Sequence, residues 1–118
     1  MMISTMKIIP LSTSVYKADL PPFFDGQALL AFEKTMLSLS EQSPVYVIVD
    51  FVDVNFIDSA AFRSLLKMTK MVREKDGEIY IVNLHDPVRI IFELTKTESS
   101  FGIFPTAADA LAEIQSKY

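Results

Sequence analysis

The sequence predicts an α/β protein with a single mixed β-sheet of four to five strands and about four helices. The first observation is an apolar run from Val45 to Val49, rich in β-branched residues, which is typical of a strand buried on both faces. The second is the alternation of strand and helix patterns after this run, which indicates parallel pairing with right-handed crossovers. The length of 118 residues fits one domain over residues 1–118.

Two strand patterns and one helix pattern precede the central run. Met6 to Leu11 and Ser14 to Leu20 predict two strands that form an antiparallel hairpin, and Pro21-Pro22 ends the second. Asp25 is a good N-cap for the first helix. Apolar residues then recur at helical spacing on one face, with two more beside them: Leu29, Phe32, Met36 and Leu39, then Leu30 and Leu37.

After the central run, the patterns predict three further helices and two strands. The second helix runs from Ser59 to about Lys75, with Gly77 supplying a left-handed cap conformation. A strand follows from Glu78 to Asn83. Three more features complete the chain: a helix opened by Asp86-Pro87, a short edge strand from Phe101 to Phe104, and a last helix opened by Pro105-Thr106 with a Thr106–Asp109 capping pair.

Composition excludes several classes of function. The chain has no cysteine and one histidine, His85, which excludes thiolate metal sites and any site that needs two histidines. The net charge of −4 without a basic run argues against nucleic acid and anionic membranes as partners. No apolar stretch is long enough to span a membrane, and the start lacks a signal-peptide pattern, so we expect a cytoplasmic protein.

No catalytic or metal-binding constellation can be assembled from the sequence. It offers no nucleophile–base pair and no glycine-rich phosphate loop, so we expect neither enzymatic activity nor a cofactor. Asp50, Asp53 and Asp58 suggest a magnesium site of the phospho-accepting receiver type. Such a site also needs an acidic pair after the first strand, where this chain has Ile8-Ile9-Pro10-Leu11. We therefore predict no metal site.

Asp58-Ser59 stands where the second helix opens. Helix capping needs only a short acceptor side chain, and it explains either residue by itself. The stretch from Val49 onward also resembles the STAS domain of bacterial anti-sigma factor antagonists. That family has an apolar strand, Asp, an apolar residue, a short polar link, and then aromatic–apolar–Asp-Ser-(Ser/Thr)-Gly-Leu. Here the pattern stands as Val49-Asp50-Phe51, a link over 52–55, and Phe56-Ile57-Asp58-Ser59-Ala60-Ala61-Phe62.

The resemblance extends over roughly residues 28 to 112 and implies a phosphorylation-dependent partner switch. In that family the serine after the aspartate is phosphorylated by a serine kinase that is also an anti-sigma factor, and a phosphatase restores binding. The matching residue here is Ser59. Ala60 and Ala61 replace the second hydroxyl residue and the glycine, and Pro21-Pro22-Phe23-Phe24 replaces a polar stretch. These departures bear on the identity of the partner.

The predicted partner-binding surface comprises Asp58, Ser59, Ala60 and a stripe along the second helix. The stripe falls at i, i+3, i+7 and i+10: Ala61, Ser64, Met68 and Met71. Methionine adapts to irregular binding surfaces, and it also fills gaps in cores. We expect the core to hold one of the two methionines and the partner to contact the other, since both do not fit the Phe62–Leu65–Thr69 face.

Two alternative functions stay open at this point. The chain could dock constitutively on another protein, such as a lipid-transport ATPase, without phosphorylation, or it could bind a small molecule or nucleotide. We expect a monomer or a weak dimer.

Overall fold

The computed structural model describes residues 6–41 and 44–117, which hold seven strands and four α-helices. The strands are β1 (Lys7–Ser12), β2 (Val15–Asp19), β3 (Phe23–Phe24), β4 (Tyr46–Asp50), β5 (Phe56–Ile57), β6 (Glu78–Val82) and β7 (Gly102–Phe104). The helices are α1 (Ala28–Ser40), α2 (Ser59–Glu74), α3 (Val88–Thr95) and α4 (Ala107–Lys117), with a short 3-10 helix at Glu98–Ser100.

Five strands form one mixed sheet in the order β1-β2-β4-β6-β7. β1 and β2 pair antiparallel, and the other neighbours pair parallel. The predicted mixed sheet, its leading hairpin and its central strand are thus confirmed. β4 is buried along its whole length because helices cover both faces of the sheet.

Alternate residues of the central strands point to two separate cores. Val47 and Val49 of β4 face the larger core, which α1, α2 and α3 complete with Phe32, Leu65 and Phe92. Tyr46 and Ile48 face the smaller core, which α4 closes with Ala110 and Ile114. The described helices are therefore divided three to one between the faces of the sheet.

A second, two-stranded sheet was not predicted from the sequence. β3 and β5 pair parallel, with Phe23 opposite Phe56 and Phe24 opposite Ile57. The Pro22 carbonyl also accepts from the amides of Asn55 and Phe56. Strands of two residues are too short to show a period of two, so the sequence pattern could not reveal them.

The end of α2 differs from the prediction in the role of glycine. The residue in the left-handed conformation is Asp76, with φ of 68°, and not Gly77. Gly77 meets a different requirement, since a Cβ there would lie 2.1 Å from the backbone oxygen of Val45. The glycine allows α2 to turn into β6 directly against the start of β4.

The predicted Thr106–Asp109 cap is confirmed, but the caps of α1 and α3 differ from the prediction. The N-cap of α1 is Gln27, which forms no side-chain cap bond, and not Asp25. Asp25 Oδ1 accepts from the amides of Gln27 and Ala28, both at 3.1 Å. Thr106 Oγ1 accepts from the Asp109 amide at 3.2 Å. Pro87, predicted as the first residue of α3, is its N-cap, and Asp86 pairs with Arg89 instead of capping. None of the helices in the described part of the chain is long and apolar enough to cross a bilayer.

Candidate functional site

Ser59 is the first residue of α2 and is exposed to solvent. The N-cap of this helix is Asp58, whose Oδ1 accepts from the Ala61 amide at 2.8 Å. Its backbone oxygen accepts from the Phe62 amide at 3.0 Å. Within the described residues the Ser59 hydroxyl has no hydrogen-bond partner. Capping is thus assigned to Asp58, and the side chain of Ser59 has no structural role in the start of the helix.

Asp58 also joins two segments that are distant in the sequence. Its second oxygen, Oδ2, accepts from the Gly26 amide at 2.9 Å. Its own amide donates to the Phe24 carbonyl at 3.3 Å. One carboxylate therefore fixes the start of α2 and the segment that leads into α1. No sequence pattern indicated this contact, because its partners lie 32 residues apart.

Two exposed phenyl rings lie on the short β3–β5 sheet, whose second strand leads into the start of α2. Phe23 and Phe56 are 62% and 46% exposed, and their ring centroids are 5.9 Å apart. The β3–β5 pairing turns their neighbours, Phe24 and Ile57, into the core. Adjacent exposed aromatic residues are typical of a binding surface. Sequence analysis missed this aromatic pair, although Phe56 precedes Ser59 by only three residues.

The predicted partner surface is divided by burial. Ser59 is exposed, and Asp58, Ala60 and Met71 are half-buried. Three residues of the predicted stripe are buried: Ala61, Ser64 and Met68. Ser64 Oγ donates to Glu33 Oε2 of α1 at 2.6 Å. Buried side chains present no area to a partner. As a correction to the prediction, Ala61, Ser64 and Met68 therefore do not belong to the partner-binding surface.

The methionine prediction is refined by the same burial. Met68 belongs to the larger core together with Leu65 and Val72. Met71 packs against that core but keeps part of its surface. The buried arc of α2 is wider than predicted because α1 packs beside it as well as the sheet below it.

The outer face of α2 carries a row of cations that begins one turn after Ser59. Arg63, Lys67 and Lys70, here called the basic row, are exposed. None of the three forms an ion pair with another described residue. By contrast, Arg73 on the same helix pairs with Glu78 at 2.8 Å. The basic row is therefore available to an anion from outside the fold.

The three aspartates that suggested a metal site, Asp50, Asp53 and Asp58, are not grouped around a common position. Asp50 is only 6% exposed and accepts from the Val52 amide at 2.9 Å and from Asn83 Nδ2 at 3.0 Å. Lys17 Nζ lies 3.4 Å from its other oxygen. Asp53 is exposed in the loop after β4, and Asp58 holds two amides. Over residues 6–41 and 44–117, no three acidic or histidine side chains are grouped as metal ligands.

The carboxylates of Asp19 and Asp50 shift the pKa of the nearby Lys17. Partial burial lowers the pKa of Lys17, but the hydrogen bond and charge of Asp19 and the charge of Asp50 outweigh this effect. The pKa of Lys17 is therefore raised above its ordinary value. The lysine remains a cation at physiological pH and compensates the buried carboxylate.

A shallow groove of about 390 Å³ lies between α3 and β7. Its apolar lining includes Phe92 and Ile103, and its polar lining includes Arg89, Glu93 and Glu98. Arg89 pairs with Asp86 at 3.1 Å and with Glu93 at 2.9 Å. Arg89 is the cation among the described residues that line this groove, and it is committed to carboxylates, which makes the groove a poor site for a phosphate group.

A family model for the STAS domain matches residues 20–110. The chain belongs to the STAS domain family. No significant match was found among curated protein sequences. The STAS fold seen here agrees with the resemblance that the residues around Asp58-Ser59 indicated.

Solved structures share this fold at low sequence identity. An anti-sigma factor antagonist from Mycobacterium paratuberculosis is 21% identical with a TM-score of 0.80, and the match covers 94% of this chain and 93% of that chain. The anti-sigma factor antagonist SpoIIAA in its unphosphorylated form is 15% identical with a TM-score of 0.76, covering 94% and 98%. The murine solute carrier 26 family member A9 anion transporter is 19% identical with a TM-score of 0.71, covering 87% of this chain but 18% of the transporter.

Proposed function

We propose that this STAS domain is a non-enzymatic partner-switching regulator of the anti-sigma factor antagonist type. In its unphosphorylated form it binds a partner that is both an anti-sigma factor and a serine kinase. That kinase phosphorylates Ser59 and thereby ends the complex, and a phosphatase restores binding. The observation that carries this proposal is the exposed, unpartnered hydroxyl of Ser59 on a helix start whose cap is Asp58.

The division of roles between Asp58 and Ser59 makes the serine suitable for modification. Asp58 satisfies the Ala61 amide, so a phosphate on Ser59 removes no bond that the fold uses. A helix N-terminus also favours an anion through its free amides and dipole. Phosphorylation at this position therefore changes the surface without unfolding the helix.

The effect of the phosphate would fall on the partner. The contact surface that we propose consists of Ser59, Ala60, the half-buried Asp58 and the aromatic pair Phe23–Phe56, with Met71 at its margin. A phosphate adds about 1.5 to 2 negative charges in the middle of this surface. A partner shaped for a neutral serine must then desolvate those charges next to phenyl rings, which weakens binding.

The comparison with SpoIIAA supports the proposal that phosphorylation alters the charge of the surface and leaves the fold unchanged. The structure described as its phosphorylated form has a TM-score of 0.75 to this chain, against 0.76 for its unphosphorylated form. Two states of that protein thus resemble this chain almost equally. We expect the same of this STAS domain, whose rigid helix start leaves the backbone no reason to move.

The decisive experiment is phosphosite mapping on the protein isolated from its native host, followed by binding to the serine kinase found to modify it. Wild type and Ser59→Ala should bind that kinase, and Ser59→Glu should not. Phe56→Ala should also weaken binding, because it removes contact area that the fold does not bury. A matched control is Leu94→Ala, since Leu94 is even more exposed but lies on α3. Absence of phosphate at Ser59 under all growth phases would refute the proposal.

Constitutive docking on another protein is the second candidate. The observation in its favour is the structural match to part of a much larger anion transporter chain, a match that reflects the fold alone. This candidate predicts that Ser59→Ala and Ser59→Glu bind the native partner equally well. The partner-switch proposal predicts that they differ.

Nucleotide binding is the third candidate, and the groove between α3 and β7 is the place to test it. Its cation, Arg89, is held by two carboxylates, and Glu98 adds negative charge. We therefore expect no heat of binding when ATP or GTP is titrated into the protein in a calorimeter. Saturable binding that Arg89→Gln abolishes would favour this candidate instead.

A further inference from the structure

The basic row on α2 begins at the position that a helix places next to Ser59. Residues at i and i+4 lie on the same side of a helix with their Cβ atoms about 5–6 Å apart. Arg63 is four residues after Ser59, and both side chains are exposed. Arg63 is the cation of the row within reach of a group on the Ser59 oxygen, since Lys67 lies a further turn away.

Arg63 is available for this contact. Four other basic residues already pair with carboxylates of the fold: Lys17, Arg73, Arg89 and Lys117. Arg63 pairs with no acid in the described ranges, and α2 has no acidic residue before Glu74. Together with Lys67 and Lys70, Arg63 thus forms a locally basic face on a protein whose net charge is −4.

We infer that Arg63 is the intramolecular counter-ion of phosphorylated Ser59. Its guanidinium donates to the phosphate oxygens in the two-pronged geometry that arginine forms with phosphate. The inference rests on the proposed phosphorylation of Ser59 and adds the residue that receives the phosphate. In the unphosphorylated form Arg63 faces solvent or the partner. In the phosphorylated form it is withdrawn, so the modification adds an anion and removes a cation at once.

Other charges that border Ser59 act in the opposite direction. Asp58 precedes it, and Asp25 lies next to Gly26, whose amide binds Asp58. Both carboxylates favour the singly charged phosphate and so raise its second pKa, whereas Arg63 lowers it. The ionisation of the phosphate therefore reports whether Arg63 is paired with it.

The test places phosphoserine at position 59 by amber suppression, so that no kinase is needed. The second phosphate pKa, about 6 in a free phosphoserine, is then measured by phosphorus NMR titration. Arg63→Gln should raise this pKa by about 0.5 in the folded protein. Lys67→Gln removes the same charge from the same face two turns away and is the matched control, and it should leave the pKa nearly unchanged.

A second readout checks the contact directly. The Arg63 side-chain N–H signal should shift when Ser59 is replaced by phosphoserine, and the shift should decrease as the phosphate passes from its doubly to its singly charged form. Equal phosphate pKa values in wild type and Arg63→Gln, or equal effects of Arg63→Gln and Lys67→Gln, would overturn the inference. Because phosphoserine is built in, this failure is distinct from the failure of phosphosite mapping, which would refute the proposed function instead.

Discussion

At the scale of single residues, the structure separates two neighbours that the sequence left equivalent. Asp58 holds the Ala61 and Gly26 amides, and Ser59 presents a free hydroxyl to solvent. Both residue types are good helix caps, so sequence alone could not assign the role. The assignment depends on which side chain turns toward the helix, and three-dimensional contacts decide that.

The first prediction concerns stability and binding at Ser59. Ser59→Ala should change the free energy of unfolding by no more than about 0.5 kcal/mol, because the hydroxyl is exposed and forms no hydrogen bond with the described residues. Ser59→Asp should stabilise by a few tenths to about 1 kcal/mol, since it places an anion at a helix N-terminus. Urea denaturation measures both changes.

Binding should move in the opposite direction from stability. Calorimetric titration with the partner kinase proposed above should give normal affinity for Ser59→Ala and reduced affinity for Ser59→Asp. Parallel changes in affinity and stability would mean that Ser59 has only a structural role.

The second prediction concerns alkaline pH and Lys17. Because the folded-state pKa of Lys17 is raised above its ordinary value of 10.5, the stability it contributes is fully present below pH 10.5. It is lost as the pH rises through the folded-state pKa, where the lysine loses its charge and Asp50 stays buried. The stability difference between wild type and Lys17→Met should therefore shrink above pH 10.5. A difference that stays constant in denaturation curves up to pH 12 would contradict this assignment.

At the scale of elements, the long segments could be predicted and the short ones could not. The strands around Val45–Val49 and Ile79–Val82 and the four α-helices of the described residues are long enough for a period to appear. β3 and β5 have two residues each and are defined only by their pairing with one another. The aromatic pair Phe23–Phe56 was missed for the same reason.

The buried face of α2 shows a second limit of sequence analysis. A helix that packs on a sheet alone buries one stripe, but α1 covers an additional side of α2 through contacts such as Ser64–Glu33. Ser64 is buried where α1 lies beside α2, and Ala61 and Met68, which with it looked like an outward stripe, are buried as well. The periodicity of one helix contains no information about which other helix lies beside it.

The third prediction tests this face. Leu65 is fully buried in the larger core, so Leu65→Ala should lower the free energy of unfolding by about 2–5 kcal/mol. Leu30 on α1 is 66% exposed and supplies the control, because Leu30→Ala should stay within about 0.5 kcal/mol. Similar losses for the two variants, measured by chemical denaturation, would show that the buried face has been assigned wrongly.

The fourth prediction concerns the turn between α2 and β6. Gly77→Ala forces a Cβ to within 2.1 Å of the Val45 oxygen, so the backbone must shift, at a cost of about 3 kcal/mol. Gly102→Ala is the matched control, since its nearest neighbour would be a Tyr80 ring carbon at 3.5 Å, an ordinary contact. Thermal unfolding should show a large drop in Tm for the first variant and a small change for the second. Two unchanged Tm values would mean that this turn is not tightly packed.

At the scale of the whole molecule, charge is distributed unevenly. The net charge is −4, yet the outer face of α2 carries the basic row Arg63, Lys67 and Lys70. Three cations are too few to hold a polyanion against the repulsion of an acidic molecule at physiological salt. The row therefore fits an acidic spot on a protein partner better than it fits a nucleic acid.

The fifth prediction follows from this balance. The protein should show no appreciable binding to duplex DNA or to vesicles with anionic lipid at 150 mM salt, a condition that largely screens surface charges beyond about 8 Å. Fluorescence anisotropy and vesicle sedimentation are suitable measurements, with Lys67→Glu as a variant that should behave the same. Tight, salt-sensitive DNA binding that Lys67→Glu removes would overturn the partner-switch proposal.

Asp58 accepts hydrogen bonds from two backbone amides, and this has a consequence for how a partner can distinguish this protein from others of the same fold. Because one carboxylate fixes both the segment before α1 and the start of α2, we expect the backbone around Ser59 to keep the same shape whether or not the serine is modified. The shape of the backbone alone then does not allow a kinase to distinguish this domain from other proteins of the same fold. Under the partner-switch proposal, a kinase would recognise this domain by exposed side chains near the start of α2, and we propose Phe23, Phe56 and Arg63 for this role. If the proposal holds, exchanging these three residues between two domains of this fold should exchange which kinase modifies each domain.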